Sequence, residues 1–316
     1  MRGTGTIHVI NHLRMELPER ITSLPAIRIT ALSPDAEVPV GLHADVVFTH
    51  TVGGPNLPEL LGRGVRWIQV MGVGVDKFPL DALADDQVLA CARGATAIPI
   101  SEFALAAMTS FAKAIPEVWI DRPPGNGWFG SARISGLHGR TAVIVGVGGI
   151  GSRIARLALA FDMRVIGVRR RSRPSPVEGM AVATNLAEVI GEADHLVLAA
   201  PATAATTKLV DADLLARAKP GLHIVNVARG ALIDQAALRA ALDDGRVARA
   251  TLDAVDPEPL PDDHWMFTHP NVKLSPHVSW AAPGSRTAMN DAFVANYHRF
   301  RAGEPLLGVV ERSEGY

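Results

Sequence analysis

Cysteine is almost missing from this chain: Cys91 is the single one in 316 residues. No intrachain disulfide can form, and a reducing compartment, the cytoplasm, is expected. Excess charge is missing too. Lys and Arg number 31 against 32 Asp and Glu, a formal net charge of −1. That argues against nucleic acid or an acidic surface as partner. Residues 1–20 carry polar and charged groups throughout, so no signal peptide is read there. No uncharged apolar run approaches the length that spans a bilayer, and no membrane partner is expected. Internal repeats and low-complexity tracts are absent as well. What is present is 48% hydrophobic and 20% charged, the make-up of an ordinary globular protein. The length exceeds what one core usually serves, so two domains are expected.

The most informative stretch is Thr141 to Arg173. An apolar run, Ala142 to Val145, leads into Gly146-Val147-Gly148-Gly149-Ile150-Gly151. A helical pattern follows, with Ile150, Ile154, Leu157, Ala158 and Phe161 on one stripe, and then a second apolar run, Val165 to Val168. Strand, glycine turn, helix and strand in this order are the first unit of a dinucleotide-binding fold. Gly146 permits a sharp turn, Gly148 lets backbone N–H groups approach a pyrophosphate, and Gly151 lets helix and strand close up. The bland alternative is a glycine-rich turn without a ligand.

An acid about twenty residues past the first glycine would bind the ribose 2′-hydroxyl of NAD. This chain has Arg169 there, followed by Arg170, Arg171 and Arg173. Guanidinium groups hold a 2′-phosphate by charge-assisted hydrogen bonds, so NADP(H) is the expected cofactor, with NAD(H) left open. The competing reading is a solvated basic loop with the cofactor held some other way.

Residues 1–97 alternate short strands with short helices. Strands are expected at Ile7 to Ile10, Ala26 to Ala31, Asp45 to Phe48, Val65 to Val70 and Val88 to Ala92. Helices are expected at Leu57 to Leu61 and Phe78 to Leu83. Such alternation suggests a small parallel α/β domain. Ser101 is read as the cap of a helix from Glu102 to about Lys113 that crosses between domains. Pro116 to Gly136, with Trp119 and Trp128, reads as a long loop or arm, either a subunit contact or folded on its own domain. Later, Asn185 with Glu188 reads as a capping box, and Asp211 and Asp234 as caps. Strands follow at Leu196 to Ala200, Ile224 to Val227, Ala248 to Leu252 and Val272 to Leu274. A last amphipathic helix, Ser285 to Arg301, places Met289, Phe293, Tyr297 and Phe300 on one face and is expected to return to the first domain. The resulting expectation is α/β: two doubly wound parallel-sheet domains, residues 1–99 plus 281–316 for substrate and 100–280 for the dinucleotide. The Rossmann cofactor domain is thus inserted into a flavodoxin-like substrate domain, with hinges near 98–101 and 280–285.

Three strand ends of the second half carry polar groups that suit a cleft: Arg229 in NVARGALID, Asp253 and Glu258 in LDAVDPEPLP, and His277 in SPHVSW. A guanidinium, a carboxylate and an imidazole at one crevice suit hydride chemistry on a 2-oxo acid. Arg229 would pair with the substrate carboxylate and polarise its carbonyl. His277 would give the carbonyl oxygen a proton. Glu258 would orient the imidazole and favour its charged form. Taken singly, each has a bland reading: a paired arginine, an acid at a proline-flanked turn, a structural histidine. Upstream, Met71-Gly72-Val73-Gly74-Val75-Asp76 at a strand end offers N–H groups to a carboxylate.

With GVGGIG, NVARGALID, LDAVDPEPLP and SPHVSW in this order, and GVGVD upstream, the chain resembles the D-isomer-specific 2-hydroxyacid dehydrogenases over nearly its whole length. The resemblance implies that Arg229, Glu258 and His277 are catalytic. It implies that Val73 and Gly74 hold the substrate carboxylate by their amides, with Arg229 and His277 also touching the substrate. Gly149 and Ile150 would meet the pyrophosphate, Asp253 the nicotinamide carboxamide, and Val227 and Ala228 the nicotinamide ring, with Val278 to Trp280 as the far wall. A homodimer joined through cofactor domains is also implied, with the 116–136 arm as a candidate contributor, and no metal. Arg169 matches the NADP-preferring glyoxylate/hydroxypyruvate reductases of the family, so an NADPH-preferring reductase of small 2-oxo acids is expected. Val70-Met71 departs from the polar or small pair of many relatives and bears on the side-chain pocket. The lack of a regulatory domain after the last helix argues against a long phosphoglycerate enzyme. Glu258, in place of a Gln before proline, argues against a formate dehydrogenase. The alternatives are an NAD-dependent phosphoglycerate-type dehydrogenase and a cofactor-sensing corepressor that binds peptides.

Overall fold

The computed structural model describes residues 5–122 and 134–316. By internal packing the chain forms two units, Met1–Thr96 with Ala282–Tyr316, and Ala97–Ala281.

The first unit holds one sheet of five parallel strands: β1 (Ile7–His12), β2 (Ile27–Ala31), β3 (Val46–Thr49), β4 (Trp67–Val70) and β5 (Val88–Cys91). Their order is β2-β1-β3-β4-β5, the flavodoxin-like winding, which reverses between β1 and β3. β3 and β4 are buried at every position, which is why they read as continuous apolar runs rather than alternating ones. One face is covered by Leu57, Leu60 and Leu61 of the helix Leu57–Leu61. The helix Ser285–Ala302 returns to this unit, and Phe293 stacks on Phe48 at 4.5 Å and on Trp67 at 5.1 Å. Its buried Asn296 donates to Gln69 Oε1 at 2.9 Å, so the amide side chain inside β4 has a partner. The stretch 78–83, expected to be helical, shortens to a single 3₁₀ turn, Leu80–Ala82. Pro79 sits just before that turn.

The second unit holds seven parallel strands: β6 (Thr141–Val145), β7 (Arg164–Val168), β8 (Ala181–Ala183), β9 (His195–Leu198), β10 (Leu222–Asn226), β11 (Val247–Leu252) and β12 (Val272–Leu274). The order is β12-β11-β10-β9-β6-β7-β8, a doubly wound sheet that reverses between β6 and β9. β8 has no counterpart in the sequence reading: it is three residues long, none of them buried. The helix expected from Glu102 starts earlier and runs Ala97–Lys113. Pro99 sits in its first turn, where a missing N–H costs nothing. Ser101 is therefore not a cap but a fully buried helical residue whose Oγ donates to Ile98 O at 2.7 Å. Ile100, Ala104 and Met108 of this helix pack with Ile154, Ala155 and Ala158 of the helix Gly149–Ala160. Phe161, read as part of that apolar stripe, follows the last helical turn and is exposed. Asp211 and Asp234 cap their helices as expected, accepting from Leu214 N and from Ala236 N and Ala237 N. Asn185 accepts from Ala187 N, and its amide donates to Glu188, so the two side chains meet each other rather than closing a capping box through the backbone. Trp119 is exposed, and Trp128 lies outside the described residues. No helix among the described residues is long and apolar enough to cross a membrane.

Candidate active site

The functional groups of the second unit gather where its strands end. β6 stops at Val145 and the chain turns at Gly146 with φ +90°. A Cβ on Gly146 would lie 2.7 Å from backbone atoms of Ala199 and Ala200, just past β9, so the turn is wedged at the reversal of strand order. A Cβ on Gly151 would come within 1.9 Å of Gly146 O; only glycine lets the helix close on the turn. Gly148 is different. It is exposed, and a Cβ there would meet nothing within 4 Å. No side chain caps the helix Gly149–Ala160 at Gly148, which leaves first-turn N–H groups and a positive dipole end for an anion. Ile150 is half-buried behind this turn and packs on the core. The loop therefore fits the pyrophosphate of a dinucleotide.

Val168 O accepts from Gly146 N at 2.9 Å, which sets Arg169, the next residue, beside the glycine turn. The Arg169 guanidinium donates to Pro174 O at 3.2 Å, drawing the basic loop into a curl, with Arg170 exposed on it. The position that would repel a 2′-phosphate with an acid thus carries a cation.

The Arg229 turn is built by Asn226, a buried residue at the end of β10 to which the sequence reading gave no role. Its Oδ1 accepts from Ala228 N at 3.0 Å, and its amide donates to Arg229 O at 2.8 Å and Ala254 O at 3.3 Å. The ends of β10 and β11 are thereby stitched together. Val227 and Ala228 are buried in this turn, and the Arg229 side chain is half-buried. Gly230 then packs on the loop after β11: a Cβ would sit 1.9 Å from the carbonyl carbon of Val255. The Gln235 side chain also donates to Asp256 O, tightening the same contact. Arg229 and the Asp256–Glu258 stretch are consequently held side by side.

His277 follows β12, and its Nδ1–H donates to the Glu258 carboxylate at 3.1 Å to Oε1 and 3.0 Å to Oε2. The acceptor fixes the tautomer: Nδ1 carries the proton toward the acid, and Nε2 is the ring's other face. Both side chains are about one-third exposed, at 38% for His277 and 32% for Glu258. His277 has φ +53°, a left-handed backbone uncommon outside glycine and costing about 1–3 kcal/mol. Asp253 is 1% exposed and lies beneath this loop, accepting from Ser275 Oγ at 2.6 Å, Val278 N at 2.9 Å and Ser279 N at 3.0 Å. Trp280 Nε1 donates to His277 O at 3.0 Å.

Val73 and Gly74 belong to the first unit, in the loop after β4, and are half-buried. Gly72 before them is packed so closely that a Cβ would lie 2.5 Å from Thr51 Cγ2, and its carbonyl accepts from Ala92 N at 2.9 Å. Among the described residues no three His, Cys, Asp or Glu side chains are arranged to hold a metal ion.

The roles missed from sequence are those of Asn226, Gln235 and Ser275, which hold loops rather than face solvent. Asn226 and Ser275 had one signal, position at or just after a strand end, and Gln235, the first residue of its helix, had none.

A family model described as D-isomer specific 2-hydroxyacid dehydrogenase, NAD binding domain, matches residues 105–279. D-3-phosphoglycerate dehydrogenase of Bacillus subtilis is 31% identical over 246 residues, 76% of this chain and 46% of that protein. Glyoxylate reductase of Pyrococcus furiosus is 38% identical over 169 residues, 53% of this chain and 50% of that protein. The matched part is thus about half the length of each of these relatives. Among solved structures, a D-isomer specific 2-hydroxyacid dehydrogenase from Xanthobacter autotrophicus, in complex with NADPH and MES, superposes with a TM-score of 0.82. That likeness covers 99% of this chain and 100% of the other at 24% identity, and it concerns the fold. The chain belongs to the D-isomer specific 2-hydroxyacid dehydrogenases, oxidoreductases of CH–OH groups built on a nicotinamide-binding domain.

Proposed function

We propose that this protein is an NADPH-preferring reductase of small 2-oxo acids, with glyoxylate and hydroxypyruvate as first candidates. The observation that carries this reading is the Glu258–His277 pair, 3.0 Å apart at the strand ends that also bear Arg229. A nicotinamide cofactor, when bound, would supply the hydride for the substrate carbonyl carbon. Arg229 binds the substrate carboxylate and draws electron density from the adjacent carbonyl. His277 donates the proton that the carbonyl oxygen needs, from Nε2, the nitrogen not engaged by Glu258. Glu258 keeps the ring turned and balances the positive charge of the doubly protonated imidazole. The amides of Val73 and Gly74, in the first unit, are assigned to substrate binding. Arg169, with Arg170, is assigned to the 2′-phosphate, and the uncapped helix start at Gly149 and Ile150 to the pyrophosphate. Val227 and Ala228 are assigned to the face of the nicotinamide pocket. The substrate role is assigned to the first unit, Met1–Thr96 with Ala282–Tyr316, close to the expected 1–99 with 281–316.

Steady-state oxidation of NADPH and of NADH, measured across a panel of 2-oxo acids that includes phosphohydroxypyruvate, tests the reading. The expected result is turnover of a small 2-oxo acid with kcat/KM higher for NADPH. No oxidation with any acid and either cofactor would overturn it. A higher kcat/KM with NADH and phosphohydroxypyruvate would replace it by a phosphoglycerate-type enzyme.

A further inference from the structure

The carboxylate of Asp253 is almost fully buried and already heavily engaged. A carboxylate has about four acceptor positions. Three are taken: Oδ1 accepts from Ser275 Oγ and Val278 N, and Oδ2 from Ser279 N. These donors lie on both sides of His277 in the chain. Between them His277 itself adopts φ +53°, a backbone that does not persist unless its surroundings enforce it. The remaining constraints are weaker. His277 N donates to Ser275 O at 2.9 Å within the same turn, and Trp280 Nε1 holds the His277 carbonyl at 3.0 Å. Asp253 is anchored in turn, because its own N–H donates to Asn226 O at 2.9 Å.

We propose that Asp253 is the positioning residue of the acid/base histidine: its carboxylate clamps residues 275–279 and thereby holds His277 in the left-handed conformation that points Nδ1 at Glu258. This rests on the role proposed for His277 and differs from the expectation that Asp253 chiefly contacts the nicotinamide carboxamide. The two assignments separate because one acts through a protein loop and the other through the cofactor. In Asp253→Asn one oxygen becomes an NH₂ group and faces an N–H or O–H donor, so at least one bond of the clamp is lost.

The test compares wild type, Asp253→Asn and Ser275→Ala, reading kcat, the NADPH dissociation constant, and the His277 ring resonances in side-chain nitrogen NMR spectra, assigned by their loss in His277→Gln. For Asp253→Asn the expected result is a kcat lower by about 100-fold, the penalty of a reacting group misplaced by about 1 Å. The NADPH dissociation constant should stay within about threefold, less than the loss of one hydrogen bond would give. The His277 resonances should move in the cofactor-free protein. Ser275→Ala, which removes one bond and leaves the carboxylate, should lower kcat by about fivefold, and it decides the matter if Asp253→Asn fails to fold. An unchanged kcat overturns the proposal. So does a loss of NADPH affinity that tracks the loss of kcat while the His277 resonances stay in place. If wild type reduces no 2-oxo acid, the functional reading fails, and the resonance comparison still decides the clamp.

Discussion

Replacing Gly230 by alanine is predicted to damage turnover far more than a single methyl group suggests. The added Cβ would lie 1.9 Å from Val255 C, 2.2 Å from Val255 O and 2.4 Å from Asp256 N. Ordinary contact begins at 3.4 Å, so 3.4 − 1.9 = 1.5 Å of separation must be found. All three atoms are backbone, and no flexible side chain can give way. The turn that carries Arg229 must therefore move from the loop that carries Glu258. Overpacking of this kind costs about 1–3 kcal/mol of stability. Misplacement by about 1 Å costs about 100-fold in rate. Thermal melting, kcat on the best 2-oxo acid and NADPH titration would be measured on Gly230→Ala and, as a contrast, on Gly148→Ala. Gly148 has open space around it, so alanine there should leave Tm unchanged and weaken NADPH binding instead. Gly230→Ala with wild-type Tm and kcat would refute the account of how the two loops are held.

The remaining predictions concern charge. Arg169→Asp should lower kcat/KM for NADPH relative to NADH by roughly 10- to 100-fold, the loss of charge-assisted hydrogen bonds worth about 1.5–3 kcal/mol; an unchanged ratio would remove Arg169 from the 2′-phosphate. Folding stability should fall with acid through a buried histidine pair distant in sequence from the dyad. His195 and His223 share a hydrogen bond at 3.1 Å, His223 reaches Thr251 Oγ1 at 3.0 Å, and Phe111 stacks on the His223 ring. Burial holds His195 down at about 4 and His223 well below its usual value of 6.5. Below pH 6.5 the unfolded chain takes up protons that the folded chain refuses, so stability is lost from pH 6.5 down to about 4. The interval for His195, 6.5 − 4 = 2.5 pH units, corresponds at about 1.4 kcal/mol per unit to about 3 kcal/mol. Urea denaturation at pH 7.5, 6 and 5 reads this loss, and equal stability across that range would contradict it.

Much of the fold was legible because parallel strands buried on both faces read as apolar runs and the Gly146 to Gly151 turn carries its own geometry. The five strands of the first unit fall within a few residues of their expected ends. What was not legible has physical reasons. β8 is a short edge strand with no buried residue, so no apolar run marks it. Ser101 has the chemistry of a helix cap, yet the helix begins earlier because Pro99 is tolerated in a first turn. The candidate site shows the same division. Arg229, Glu258 and His277 could be named from the order of strand ends, and the structure brings Glu258 and His277 into contact. The supports that join distant segments, from Asn226 to Ala254 and from the three donors to Asp253, are hydrogen bonds that no local pattern encodes.

In the proposed reaction His277 hands a proton to a substrate reduced by NADPH. Turnover of His277→Ala at saturating NADPH, set beside its NADPH dissociation constant, tests this most directly. A kcat lower by about 10²- to 10⁴-fold with cofactor affinity nearly intact is expected. Turnover at the wild-type rate would contradict it.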